Sequence, residues 1–435
     1  MSWLLKYRIR LYVRNSLWIL PTLSIVISLI AARAVITLEI AAGLRSNISA
    51  DTARLIMGTV AASTFTLIVL VSSAMLLAVQ LASAQLTPRI IAFIYRSPYG
   101  KFAFAVFVFT FTFAVSTLVR IEDTVPLVAS YVATYGFLVS LALFILFTDT
   151  MGKMLRPSSA LRRVGLAGRE VVRSVYPAFR KADSKLPEPF KVPREFEPRV
   201  ILCEEDGAVL AFDMAGVISK AARANCVIEL VPQVGDFIAN GDPIFRVFGD
   251  APAVSDKDLR HSVAIGHERT LEQDPMFAFR IIVDIASKAL SPAINDPTTA
   301  VIAIDQIHHL LRDVGKRLLA DGHEEDDGGQ VRLIYRTPDW EDFVQLGTTE
   351  IRQYGRDSIQ VQRRLRAMLQ DLIETLPAHR HAILKRELAL LGSSLLRAFP
   401  DLDDQKLAES GDLQGIGGSD DELYEDREAA FSAPR

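Results

Sequence analysis

The run from Leu55 to Leu86 holds 32 residues without one charged side chain. As a helix it would be roughly 48 Å long at 1.5 Å per residue, against a bilayer hydrocarbon core of roughly 30 Å. A spanning helix needs roughly 20 mostly apolar residues, and this run qualifies. Three further apolar stretches have spanning length: Leu17–Ile36, Phe102–Val119 and Val125–Phe147. The Ala32-Arg33-Ala34 triplet would suit a signal-peptide cleavage site, but the first stretch is read here as a span.

Loop charge sets the expected direction. Lys6, Arg8, Arg10 and Arg14 precede the first span, and Arg89, Arg96 and Lys101 separate the second from the third. Lys153, Arg156, Arg162, Arg163 and Arg169 follow the fourth. The other two loops mix signs: Glu39, Arg45, Asp51 and Arg54, then Arg120, Glu122 and Asp123. Basic loops stay in the cytosol, so the expectation is a multi-pass protein of a bacterial inner (plasma) membrane with both termini cytosolic.

On the second span Thr59, Ser63, Thr66, Ser73 and Gln80 fall within an arc of roughly 100°. They are candidates either to line a pore or to pack against another helix through small polar side chains. The spans carry no Asp, Glu, Lys or His at mid-depth, the groups that coupled transporters use.

Domain organisation is expected as a transmembrane domain over 1–150, a connector over 151–199 with Pro187, Pro189 and Pro193 near its end, and a small β module over 200–250. A helical cytosolic domain then covers 251–399, and an acidic disordered tail 400–435. The fold class is thus an α-helical membrane domain followed by an α+β domain, a small β-barrel-like module plus a helical bundle. Four apolar runs between Val200 and Phe248 read as strands. The glycine turns and Pro243 within Gln233–Val247 resemble the small barrel of biotinyl and lipoyl carriers, without a lysine at the carrier hairpin. Ser255–Ala264 reads as helical from its capping residues, as do Phe277–Leu290 and Pro297–Leu319 from apolar faces. Asp296-Pro297 reads as a cap followed by proline in the first turn. Val331–Arg336 reads as a strand and Trp340–Phe399 as two or three helices.

Gln80-Leu-Ala-Ser-Ala-Gln-Leu-Thr-Pro-Arg89, Arg269 with Gln273-Asp274, and Ala289-Leu-Ser-Pro-Ala-Ile-Asn-Asp-Pro-Thr-Thr-Ala300 together resemble a bacterial family of predicted membrane proteins, domain of unknown function 2254. The resemblance covers about residues 5–398. It departs at Asp149-Thr150, where a histidine-rich stretch would be expected, and at Ala293, where glycine is usual. It implies this architecture and no particular activity.

Arg269, Gln273, Asp274, Ser291, Asn295 and Asp296 are therefore the candidate cytosolic pocket, with Arg269 and the helix start at Pro297 engaging an anion. The alternative is an interhelical corner in which Arg269 pairs with Asp274. His308-His309 with Asp305, and the acidic run from His323 to Asp327, are the places where a metal could be sought, but neither has ligand order, so no metal is expected. Cys203 and Cys226 are too few for a disulfide framework. The chain has no catalytic motif of the common hydrolase, nucleotide-binding or zinc-protease kinds, so no catalytic residue and no cofactor is assigned. A net charge of −3 speaks against nucleic acid. The expected partners are the lipid bilayer, further copies of the same chain, and a cytosolic protein or anionic ligand. Two readings remain: an oligomeric pore gated by its cytosolic domain, favoured slightly, and a membrane-anchored cytosolic sensor or scaffold without transport.

Overall fold

The computed structural model describes residues 2–44, 48–91, 98–122, 125–176, 197–249, 251–319 and 322–417. Its contacts divide the chain into two units, Ile9–Ala160 and Leu161–Arg435 with Met1–Arg8. The prolines at 187, 189 and 193 and the chain beyond 417 lie outside the described residues.

The first unit holds four helices long and apolar enough to cross a membrane: α2 (Ile19–Ala42), α3 (Ala50–Gln85), α4 (Pro98–Leu118) and α5 (Leu127–Met154). They fall on the four apolar stretches of the sequence. Ahead of them lies α1 (Trp3–Asn15). α4 is the hub, packing against α2, α3 and α5. Small residues allow the close approaches: Ala32, Ala53, Ala61, Ala114, Ala129 and Ala133 are all buried in one cluster with Met57 and Phe113. Without a hydrophobic driving force inside lipid, such packing and a few polar contacts hold spans together. Ser28 Oγ donates to the Phe109 carbonyl at 2.9 Å, and Ser140 Oγ to Thr110 Oγ1 at 3.3 Å. Glu39, buried near the end of α2, accepts hydrogen bonds from the Val128 and Ala129 amides. A carboxylate thereby caps the start of α5, where Pro126 offers no side chain for the purpose.

The second unit is mixed α+β. Most of α6 (Pro157–Val175) belongs to it, so much of the stretch expected to be a connector is a helix. Two open sheets follow. One has the order β1-β5-β3-β8-β7 and the other β4-β2-β6, formed from β1 (Arg199–Leu202), β2 (Gly207–Phe212), β3 (Val227–Leu230), β4 (Phe237–Ile238), β5 (Pro243–Phe248), β6 (Val263–Gly266), β7 (His323–Glu325) and β8 (Val331–Tyr335). All pairings are antiparallel except β3 with β8. The barrel-like expectation is not met among the described residues: the glycine turns at Gly235 and Gly241 are present, with φ of 96° and 91°, but β4 joins β2 while β5 joins β1 and β3. The boundary at 250 does not separate domains either, because β6 pairs with β2 and β8 with β3 across it. Between β2 and β3 lies a helix, α7 (Met214–Arg223), capped by Asp213. The helix expected over Ser255–Ala264 is only α8 (Asp256–Arg260) before the chain enters β6.

The remaining helices are α9 (Pro275–Ala289), α10 (Pro297–Gly315), α11 (Trp340–Tyr354), α12 (Ile359–Thr375), α13 (His381–Ala398) and α14 (Leu402–Glu409). α12 is the inner helix, in contact with α10, α13 and α14. The segment expected to be a disordered tail therefore starts as packed structure. Asp412 is fully buried and accepts from the Gly415 and Gly417 amides at 2.7 and 2.6 Å, while Arg363 on α12 donates to the Ser410 and Gly417 carbonyls.

Candidate functional site

Two Asp-Pro pairs start two consecutive helices. Asp274 precedes Pro275 at the start of α9, and its Oδ1 accepts from the Phe277 amide at 3.0 Å. Asp296 precedes Pro297 at the start of α10, and its carboxylate accepts from the Thr299 amide and hydroxyl at 3.0 and 2.5 Å. In each case aspartate satisfies an amide that has no partner within the helix, and proline takes a position where no N–H is needed.

Around Asp274 the structure assembles three of the six candidate pocket residues. Arg269 donates through Nε and Nη2 to Asp274 Oδ2 at 2.9 and 2.7 Å, and its guanidinium lies 5.7 Å from the centre of the Phe277 ring. Gln273 grips the backbone of Phe212 from both sides, accepting its amide at 3.0 Å and donating to its carbonyl at 3.1 Å. That contact ties the start of α9 to the end of β2. Gly235 sits against the ion pair so closely that a Cβ would stand 2.0 Å from Arg269 Nη2. Burial pushes the Asp274 carboxyl above the ordinary carboxylate range, with Arg269 and the Phe277 amide pulling in the opposite direction.

The other three candidates lie elsewhere. Ser291, Asn295 and Asp296 belong to the turn after α9, whose 15 residues separate them from Asp274 by about 22 Å along the helix. This turn is closed upon itself: Ser291 Oγ donates to the Lys288 carbonyl at 2.6 Å, and the Asp296 amide to the Ala289 carbonyl at 2.7 Å. Asn295 takes the left-handed conformation with φ of 47°, which asparagine tolerates better than most residues. No common anion pocket is formed by Arg269 and the start of α10. Arg269 is held by Asp274, and the first turn of α10 already has the carboxylate of Asp296.

A cavity of about 600 Å³ opens beside Gln273 and Asp274. Its apolar wall comes from Phe212, Met214, Leu318 and Leu319, and its polar wall from Gln233, Glu272, His323, Glu324, Tyr335 and Arg336. The Tyr335 hydroxyl donates to Glu324 at 3.1 Å. Tyr176, at the end of α6, also lines it, although only 1% of its surface is exposed. Burial pushes its phenol up to about 12, the nearby Asp274 and Asp342 adding to the rise and Thr337 opposing it.

The span-two candidates take one position. Thr59, Thr66, Ser73 and Gln80 are exposed and Ser63 is half-buried. The buried face of α3, including Met57, Val60, Ala61, Thr64 and Val71, points to the opposite side of the helix. The stripe thus faces away from the spans of its own chain. Thr59 and Thr66 hydroxyls donate to the carbonyls of Leu55 and Ala62, one turn back, at 2.8 and 3.0 Å. Of the residues weighed for metal, Asp305 accepts from Arg364 Nε at 2.7 Å, and His308 lies between Asp371 at 2.8 Å and Arg364 at 3.2 Å.

Glu39, Tyr176 and Asp412 are the functional or positioning side chains that the sequence did not mark. Each meets its partner through the fold, and only the apolar setting of Glu39 beside a span could have drawn attention to it.

The family described as predicted membrane protein (DUF2254) matches residues 14–371. Uncharacterized proteins of Mycobacterium bovis and Mycobacterium tuberculosis are 27% identical over 416 residues, covering 91% of this chain and 79% of theirs. No solved structure matches the chain.

Proposed function

The chain belongs to the DUF2254 family of predicted membrane proteins, and from that premise we propose a membrane-anchored sensor that binds a small amphipathic organic molecule. The four spans hold it in the bacterial inner membrane with both termini in the cytosol, and it has no enzymatic activity. The observation that carries this reading is the cavity of about 600 Å³ beside Gln273 and Asp274, within the roughly 300–1,000 Å³ typical of small-molecule sites. The ligand's apolar body would lie on Phe212, Met214 and Leu318, and its polar end among Glu272, Glu324 and the Tyr335 hydroxyl. Native mass spectrometry of the full chain in detergent tests for a retained small molecule, and thermal shift against nucleosides, amino acids and amphipathic amines tests for binding. Met214→Trp, which fills the cavity, should keep the melting temperature of the free protein and lose the shift. A parent protein that retains nothing and responds to no compound, or a variant that responds equally, would sink the sensor.

One observation favours the pore as a second reading: the α3 stripe is turned away from its own chain, toward lipid or another copy. Thr59→Leu/Thr66→Leu/Ser73→Leu should then abolish potassium flux from proteoliposomes that the parent supports. Parent liposomes that stay tight across voltage and tension leave the stripe to packing.

A further inference from the structure

α1 divides its surface into three bands. Trp3, Leu4, Tyr7 and Leu11 lie within roughly 100° of one another on the helical wheel and are half-buried. On the opposite side, again within roughly 100°, are Leu5, Ile9, Tyr12 and Val13, each exposed over 46–57% of its surface. Lys6, Arg10 and Arg14 run along one flank of that apolar band and Arg8 lies on the other. The helix contains four cations and no acid.

We infer that this outer face of α1 lies in the headgroup layer of the bilayer and takes anionic phospholipid as its partner. An apolar stripe bordered by Lys and Arg is the composition of helices that lie in the interface, sunk by roughly 5–10 Å. Charge complementarity selects the anionic surface, each cation near it contributing about fivefold in affinity. Position makes the same point. Only Ser16, Leu17 and Trp18 separate α1 from the span α2, a reach of about 10 Å when extended. α1 cannot leave the membrane surface by more than that at its C-terminal end. Its last carbonyls are held there as well, because Lys101 Nζ, just inside α4, donates to the Arg14 carbonyl at 2.6 Å. Tyr12 and the exposed Trp18 meet edge to face with ring centres 6.3 Å apart, and these two residue types favour the water–hydrocarbon boundary. The inference is independent of what the cavity binds.

The test uses the full chain in nanodiscs, with Ile9→Cys or Val13→Cys carrying an environment-sensitive fluorophore in a background of Cys203→Ser/Cys226→Ser. Spin-labelled phosphatidylglycerol should quench the label more strongly than spin-labelled phosphatidylcholine at equal mole fraction, and aqueous iodide should quench it little. Lys6→Gln/Arg10→Gln/Arg14→Gln should bring the two lipids level, through a loss of about fivefold for each cation. A label that iodide reaches freely in both positions overturns the proposal, and equal quenching by the two lipids in the parent overturns its anionic part. A label shielded from iodide yet unquenched by lipid, together with Ile9→Cys disulfide dimers, replaces the bilayer with a second copy of the chain.

Discussion

Tyr176 is the residue whose chemistry is most altered by its surroundings. Its ring packs edge to face on Phe343 with centres 6.1 Å apart, and its carbonyl accepts from Arg317 at 2.9 Å. The phenol, raised from an ordinary 10 to about 12, binds its proton more tightly in the folded state than in the unfolded one. Its contribution to stability is therefore complete below pH 10 and is lost as pH rises through 12, a difference on the order of 2–3 kcal/mol. Titration followed by tyrosinate absorbance should show one group ionising together with unfolding, and Tyr176→Phe should remove that group and flatten the alkaline loss of stability. An alkaline limb unchanged in Tyr176→Phe would exclude it. What the sequence made legible at this scale was local. Asp296 could be read as a cap because its acceptor, its proline and its target amide lie within four residues. Gln273 and Tyr176 depend on partners far along the chain, Phe212 and Phe343, and no spacing rule reaches that distance.

At the scale of elements, the long apolar helices were legible because their length exceeds anything a small core requires. α3 runs for 36 residues, about 54 Å, so part of it must tilt or project from a hydrocarbon layer of about 30 Å. The β region was harder to read. Turn glycines such as Gly235 and Gly241 specify where the chain bends but not which strand it joins, so a pattern that suited a barrel became two sheets. Val263 and Ala264 close the stretch expected to be helical over Ser255–Ala264, although β2 draws them into a ladder. The segment after α14 shows the opposite error, composition being read as disorder where one buried carboxylate organises a glycine loop. Asp412→Ala would leave two amides without their acceptor at a cost of about 1–3 kcal/mol. Hydrogen exchange should quicken at Leu413–Gly417, with a lower melting temperature for the whole second unit. If removal of residues 410–435 leaves that melting temperature unchanged, the segment has no part in that unit's stability.

The whole molecule carries its charge unevenly, and the structure explains why the two ends of the span unit differ. At one end the charges are used internally. Arg54 pairs with Asp51 at 3.2 Å and donates to the Ile121 and Glu122 carbonyls, Arg120 donates back to the Ser116 carbonyl at 2.7 Å, and Glu39 caps α5. At the other end the described residues include the cations Arg10, Arg14, Arg89, Lys101, Lys153 and Arg156, with Lys153 meeting Asp149 at 2.6 Å. Loops rich in Lys and Arg stay cytosolic, the count of cations rather than the net charge setting direction. In the proposed orientation, the four spans among the described residues return both termini to the basic, cytosolic side. The expected result follows for spheroplasts treated with a membrane-impermeant maleimide, the native thiols being buried. Ser49→Cys, between α2 and α3, should be labelled in intact spheroplasts, and Ala293→Cys, in the exposed turn after α9, only after lysis. The reverse pattern would place the α+β unit outside the cell and its ligand among extracellular molecules. Adding lysines at the exposed Leu44 and Thr52 of the Ser49→Cys and Ala293→Cys proteins should weaken the bias without moving any helix, so a mixed labelling pattern there would identify loop charge, and not helix packing, as the force that sets direction.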